Sequence, residues 1–201
     1  MDLGAPLLDV SVGVRGALLQ QLARLEQPVT RRQLAAAAGV APGHASAVVD
    51  ELIRSGLVTE ALAGRSSMVA LNRNHVASGP LLALAGLRGE VVRRLRERLS
   101  GWPDLNAAWL FGSVARGEAT SDSDIDLLIV ADDLDSPEAH DRLTELISDV
   151  RSWTGNETQV VEHSPASWRR LVRAKNPLVA QIRRDGIALK GDTACLRERR
   201  R

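Results

Sequence analysis

Leu110-Phe111-Gly112-Ser113-Val114-Ala115-Arg116-Gly117, followed by Ser121-Asp122-Ser123-Asp124-Ile125-Asp126-Leu127-Leu128-Ile129-Val130, is the stretch on which the reading of this 201-residue chain turns. An apolar run, Ala107 to Phe111, stops at Gly-Ser. A polar, glycine-containing loop follows, and a second apolar run begins with two acids inside it. That order predicts strand, loop, strand.

The acids carry the chemical signal. Asp124 and Asp126 are two apart, so alternation along a strand sends both carboxylates to one face and Ile125 to the other. Two neighbouring carboxylates repel, and no cationic partner stands close by in sequence. A divalent cation between them resolves the conflict, because Mg²⁺ takes oxygen ligands and is commonly held by one or two carboxylates together with substrate phosphates. Gly112-Ser113 lets a backbone approach closely and offers a hydroxyl and N–H groups to a phosphate oxygen. The competing reading is a pair of solvent-facing acids beside an ordinary Gly-Ser turn. Asp-x-Asp alone does not separate the two, whereas Gly-Ser, ten residues, then Asp-x-Asp between apolar strands favours metal and phosphate.

On those residues, Leu110 to Val130 resembles the signature of the nucleotidyltransferase superfamily that includes DNA polymerase beta. It is most similar to the small bacterial MNT-type members related to kanamycin nucleotidyltransferase. Ala115-Arg116-Gly117 and Ser123-Asp124-x-Asp126-Leu127 match that subgroup, and a fainter likeness runs from about Leu105 to Lys190. The resemblance implies that Gly112, Ser113 and Arg116 grip the phosphates of an NTP. It also implies that Asp124 and Asp126 are the catalytic acids that bind Mg²⁺ or Mn²⁺.

Composition fits a folded globular protein, with 44% hydrophobic and 25% charged residues. The single cysteine, Cys195, cannot form an internal disulfide, and a reducing cytoplasm is the expected setting. No apolar run approaches the ~20 residues of a membrane span, and the first residues lack signal-peptide order. The net charge of +1 conceals a segregation: residues 104–163 hold 14 acids against 3 arginines, and residues 164–201 hold 11 basic residues against 3 acids. An acidic stretch followed by a basic one suits a site for metal and polyphosphate, although a balanced surface needs no such purpose.

Upstream, Val14, Leu18, Leu22 and Leu25 recur at helical spacing and predict a first helix ending before Pro28. Thr30 is placed to cap a second helix, Arg31 to Ala38, closed by Gly39. A third runs from about His44 to Ser55 with Ala45, Val48, Val49, Leu52 and Ile53 inward, which completes a helix-turn-helix core. Leu57 to Leu62 and Ser67 to Leu71 read as a hairpin. Leu52-Ile53-x-Ser55-Gly56-Leu57-Val58 resembles the junction of recognition helix and wing in MarR- and ArsR-like winged-helix regulators. By that resemblance His44, Ser46, Ala47 and Arg54 face the major groove of DNA and Arg65 lies at the wing tip. Asp50 and Glu51 count against tight phosphate binding, as does the weak net charge of this segment.

Asn72 to Gly79 reads as a joint. After Pro80 a single long helix is expected from Leu81 to Leu99, its Arg88, Arg93, Arg94, Arg96 and Arg98 forming a solvated cationic face. Ser136-Pro137 starts a further helix ending at Gly155, and Glu157 to Glu162 reads as a strand. In the nucleotidyltransferase family this strand carries a third carboxylate that binds metal and acts as general base. Here Gln159 stands at the matching position, and Glu157, on the same face by parity, is the candidate for a third acid. Two helices, from Pro165 and from Pro177, and a last strand, Gly186 to Leu189, complete the pattern. Their Arg169, Arg170, Arg173 and Lys175 are read mainly as solvated.

The expected class is α+β: a winged helix-turn-helix over residues 1–77, a linking helix over 78–103, a mixed α/β nucleotidyltransferase domain over 104–190 and a disordered tail over 191–201. The expected activity is transfer of a nucleoside monophosphate from an NTP to a hydroxyl or phosphate of an unidentified acceptor, whether protein, RNA or small molecule, by a cytoplasmic protein that binds DNA and forms a homodimer. The alternative is a transcriptional regulator whose nucleotidyltransferase-like domain binds a nucleotide without turning it over. The habit of the resembled family adds a toxin–antitoxin pairing.

Overall fold

The computed structural model describes residues 1–64 and 66–191. Arg65, Cys195 and, apart from Gly191, the tail expected over residues 191–201 lie outside that range. The chain forms two compact units, one spanning Ala5–Leu87 and the other made of Met1–Gly4 together with the chain from Arg88 onward.

The Ala5–Leu87 unit contains α1 (Leu7–Val10), α2 (Gly13–Arg24), β1 (Val29–Thr30), α3 (Arg31–Ala37), α4 (Pro42–Arg54), β2 (Val58–Ala63), β3 (Ser66–Leu71) and α5 (Ser78–Ala85). Thr30 caps α3 through a reciprocal pair with Gln33: the Gln33 N–H donates to Thr30 Oγ1, and Gln33 Oε1 accepts from the Thr30 N–H at 2.9 Å. α4 starts at Pro42, whose missing N–H costs nothing in a first turn. Its apolar stripe, Ala45, Val49 and Leu52, is buried with Leu18 and Leu22 of α2 and Leu34 of α3. The three strands form an antiparallel sheet in the order β1-β3-β2, with Val58 opposite Leu71 and Val29 opposite Val69.

The second unit contains α6 (Leu87–Ser100), β4 (Leu105–Phe111), α7 (Gly112–Arg116), β5 (Ile125–Ala131), α8 (Pro137–Thr154), β6 (Thr158–His163), α9 (Pro165–Arg173), α10 (Pro177–Asp185) and β7 (Ile187–Lys190). Its sheet has the order β6-β5-β4-β7. β4 pairs antiparallel with β5 and β7, while β5 and β6 run parallel, joined by the α8 crossover that a parallel pair requires. Because both faces are covered, β5 reads as a continuous apolar run with alternating destinations. Ile125, Leu127 and Ile129 enter a core with Leu95 and Leu99 of α6 and Leu146 and Val150 of α8. Leu128 and Val130 enter another with Trp168 and Val172 of α9 and Val179 and Ile182 of α10. Trp109 and Trp168 stack in that second core at 6.2 Å between centroids.

Three expectations change. The single helix from Leu81 to Leu99 is two, α5 and α6, separated at Gly86, which has φ −92° and ψ 6°. Glycine weakens a helix interior by about 0.5–1 kcal/mol relative to alanine, and the apolar run Leu81 to Ala85 gave no periodic warning of the break. The loop after Gly112 is a short helix, α7. The arginines of α6 are engaged rather than simply solvated: Arg93 and Arg94 pair with Glu90, Arg98 with Glu145 and Asp149 at 2.7 Å each, and Arg96 donates to the Ala188 carbonyl.

Candidate active site

The ends of three adjacent strands bring the sequence motif together. Phe111, at the end of β4, lies opposite Asp126 of β5, and Asp126 lies opposite Gln159 of β6. The chain leaves β4 through Gly112 at φ 73°, a left-handed conformation that side chains strongly disfavour. The absent Cβ matters twice, because one built there would overlap Asp126 Oδ2 and stand 2.9 Å from Asp126 Cγ. The bare glycine backbone and the Asp126 carboxylate are therefore in direct contact. Ser113 follows in the first turn of α7, and its carbonyl accepts from the Glu118 N–H at 3.0 Å.

Burial, and then the neighbouring Asp124 carboxylate, push the Asp126 carboxyl above the ordinary aspartate range, while Arg116 pulls it the other way. Arg116 itself is exposed and pairs with Glu118 at 2.7 Å. Two half-buried carboxylates side by side, with burial and Asp124 raising the cost of ionising Asp126 and a glycine backbone pressed against it, suit a small divalent cation. Among the described residues no cluster of three His, Cys, Asp or Glu side chains forms. The donor set is then two hard carboxylates, which fits Mg²⁺ or Mn²⁺ with the remaining positions left to phosphate oxygens and water.

Gln159 Nε2 donates to Asp124 Oδ2 at 2.6 Å. Glu157 is turned to other business: its carboxylate pairs with Arg151 at 2.8 Å on open surface, and its carbonyl accepts from the Ile125 N–H at 2.8 Å. His163 lies four residues along β6 at the far end, where Nδ1 meets Ser167 Oγ at 3.2 Å and burial lowers the imidazole pKa.

Three anchors hold the loop between the strands, and local sequence patterns point to none of them except faintly to Asn156. Arg88 Nη1 donates to the Ala115 carbonyl at 2.9 Å and the Val114 carbonyl at 3.4 Å, satisfying free acceptors at the end of α7. The Gly4 N–H donates to the Ala119 carbonyl at 3.1 Å. Buried Asn156 donates through Nδ2 to the Ser123 carbonyl at 2.9 Å, the Ser121 carbonyl at 3.3 Å and the Met1 carbonyl at 3.2 Å, and its Oδ1 accepts from the Met1 amino group at 3.0 Å. The only sequence hint was a polar residue next to a helix-ending glycine, which is ordinary turn chemistry.

In the Ala5–Leu87 unit, His44, Ala47 and Arg54 are exposed on α4, and Ser46 is half-buried. The acids that share this helix are neutralised. Arg31 pairs with Asp50 at 2.6 Å and with Glu60 at 2.8 Å, and Arg15 pairs with Glu51. Glu60 is held below the usual carboxylate range by the Arg31 guanidinium and then by Ser67.

Residues 93–189 match the family model of the polymerase beta nucleotidyltransferase domain, so β4 to β7 lie in a nucleotidyltransferase-like domain. Among solved structures, a toxin–antitoxin complex with AMP-PNP superposes with a TM-score of 0.36 at 24% identity, over 54% of this chain and 77% of that one. A mutant form of the MntA–HpeT toxin–antitoxin pair gives 0.35 at 21% identity, over 54% and 76%. No curated protein matches the chain. No helix among the described residues is long and apolar enough to cross a membrane.

Proposed function

We propose that the domain spanning residues 93–189 transfers a nucleoside monophosphate from an NTP to an acceptor and releases pyrophosphate. The observation that carries this reading is the contact between the Gly112 backbone and the Asp126 carboxylate, with Asp124 beside it. Phosphate seat and cation seat are thereby a single construction. Asp124 and Asp126 hold the divalent cation, which when bound offsets the charge on the triphosphate. Ser113 and the backbone beyond Gly112 take phosphate oxygens, and Arg116 supplies a guanidinium to the same group. Arg88, Asn156 and Gly4 touch neither metal nor nucleotide in this scheme; they keep the loop that carries Ser113 and Asp124 in place. Glu157, tied to Arg151, has no part in it.

In the same reading the Ala5–Leu87 unit is a winged helix. α3 and α4 form the helix-turn-helix, β2 and β3 form the wing, and His44, Ser46, Ala47 and Arg54 face DNA. Neutralisation of Asp50 and Glu51 by Arg31 and Arg15 removes the charge objection to an α4 that meets phosphate. Incubation with each α-labelled NTP, Mg²⁺ and cell extract should give label transfer that Asp124→Ala abolishes. No transfer with any NTP would reject the enzyme reading.

The hydrogen bond from Gln159 to Asp124 favours a second reading, a nucleotide-binding regulator without turnover. Calorimetric NTP binding with no product, together with a salt-sensitive DNA mobility shift that the NTP alters, would select it.

A further inference from the structure

Resting on the nucleotidyl-transfer reading, we infer that the acceptor is a phosphomonoester, whose attacking oxygen is already anionic at neutral pH, and not a hydroxyl. A hydroxyl must lose its proton as it attacks Pα, and a positioned base contributes about 10²–10⁴-fold to such a step. The strand neighbour of Asp126 that faces the pair is Gln159, a carboxamide, which cannot take a proton at neutral pH.

Among the described residues, none of the acids and histidines around the pair stands in for it. Asp124 accepts from Gln159 and Asp126 is packed on Gly112, and in the transfer reading both carboxylates hold the cation. Glu157 is paired with Arg151, Glu118 with Arg116, and His163 lies at the opposite end of β6 against Ser167. Asp122 is on the open turn and accepts from Ser121.

Gln159 also changes what the site attracts. Its amide has two N–H donors, of which one goes to Asp124, leaving one for an incoming anionic oxygen. A carboxylate in its place would repel a phosphate. Positive charge is supplied on the same sheet face. β7 enters with Ile187 opposite Leu110, so Arg183 and Arg184 in the last turn of α10, Arg184 paired with Asp185 at 2.9 Å, arrive at the end of the sheet that holds Phe111 and Asp126.

The step balances without a proton. A phosphomonoester oxygen of the acceptor attacks Pα, and the bond from Pα to the bridging oxygen of the β-phosphate breaks. Pyrophosphate leaves as the tetra-anion. The dianionic acceptor (second pKa about 6) and the tetra-anionic NTP become a P–O–P anhydride carrying two negative charges.

The test uses the full chain with α-labelled NTP and Mg²⁺ on two matched pairs: a 5′-phosphorylated oligoribonucleotide with its 5′-hydroxyl twin, and glycerol 3-phosphate with glycerol. The label that appears in cell extract is analysed in parallel for its linkage. The phosphorylated member should be labelled at least ~100-fold faster, in a linkage opened by nucleotide pyrophosphatase. Labelling of the oligonucleotide alone, or of glycerol 3-phosphate as well, tells whether the phosphate sits on a nucleic-acid end or on a small molecule. Gln159→Glu should raise the hydroxyl-to-phosphate labelling ratio at least ~10-fold, with unchanged tryptophan fluorescence showing that it folds.

Hydroxyl twins labelled as fast as the phosphates, or an extract product linked as a phosphodiester or ester, would overturn the inference while nucleotidyl transfer stood. An unmoved ratio in folded Gln159→Glu would overturn it too. No label on any probe or in extract, with any NTP, would remove the transfer reading itself and this inference with it.

Discussion

Gly112→Ala tests the joint between backbone and carboxylate most directly. At φ 73° an alanine meets the left-handed penalty, about 1–2 kcal/mol. Its Cβ would also take the place of Asp126 Oδ2, so the carboxylate must rotate away from the loop. All four tryptophans, Trp102, Trp109, Trp153 and Trp168, belong to the unit that begins at Arg88, so fluorescence during urea unfolding reports on this unit alone. With an m value of about 2 kcal/mol/M, the midpoint should fall by about 0.5–1 M. Gly89→Ala is the control. Gly89 is exposed within α6 with nothing near its missing Cβ, and alanine is favoured there by about 0.5–1 kcal/mol, so the midpoint should rise. Displacement of Asp126 should weaken Mn²⁺ binding in calorimetry by at least ~10-fold, equivalent to ~1.4 kcal/mol. A Gly112→Ala protein that matched the wild type in both midpoint and Mn²⁺ affinity would show that the contact positions nothing.

Asp126→Asn should be more stable than the wild type at neutral pH without metal, because burial and Asp124 disfavour the ionised form. Added Mn²⁺ should then raise the midpoint of the wild type and leave the variant's unchanged. Arg88→Ala removes the donor to the Ala115 and Val114 carbonyls. It should cost about 1–2 kcal/mol and speed hydrogen exchange at the Gly117 and Glu118 amides, which an exposed Arg169→Ala should not do. Burial lowers the His163 pKa, so the folded chain holds that proton less readily than the unfolded chain, whose imidazole titrates near ~6.5. Stability should therefore decline as pH falls through ~6.5 and level off below the folded value, and His163→Gln should remove that part of the slope in urea midpoints measured from pH 8 to 5.

What was legible in the chain is what is local. A spacing of two puts Asp124 and Asp126 on one side of a strand whatever lies beside it. Thr30 with Gln33, and Ser136 before Pro137, announce helix starts through side chains within three residues of the backbone groups they serve. The parity of β6 was readable, and so was the amide at Gln159. Pairing is another matter. Phe111 facing Asp126 across an antiparallel ladder, and Gln159 across a parallel one, depend on register between segments separated by a whole helix. The break at Gly86 was hidden because Leu81, Leu82 and Leu84 are apolar on every side of the helix, leaving no period to lose. Arg88 looked like its arginine neighbours on α6. Its distinction is a partner 27 positions away, and Asn156 likewise reaches 33 and 155 positions along the chain.

The route of the chain has a practical side. Ala5 to Leu87 form one excursion, leaving after Gly4 and returning at Arg88, and both moorings fasten to the short span from Val114 to Ala119. A piece cut to start at Arg88 would shed Met1–Gly4, stranding the Ala119 carbonyl and emptying half of the cradle around Asn156. Splicing Gly4 to Arg88 through a short flexible bridge keeps both fastenings, and is the way to excise the excursion without loosening the turn that leads to Asp124.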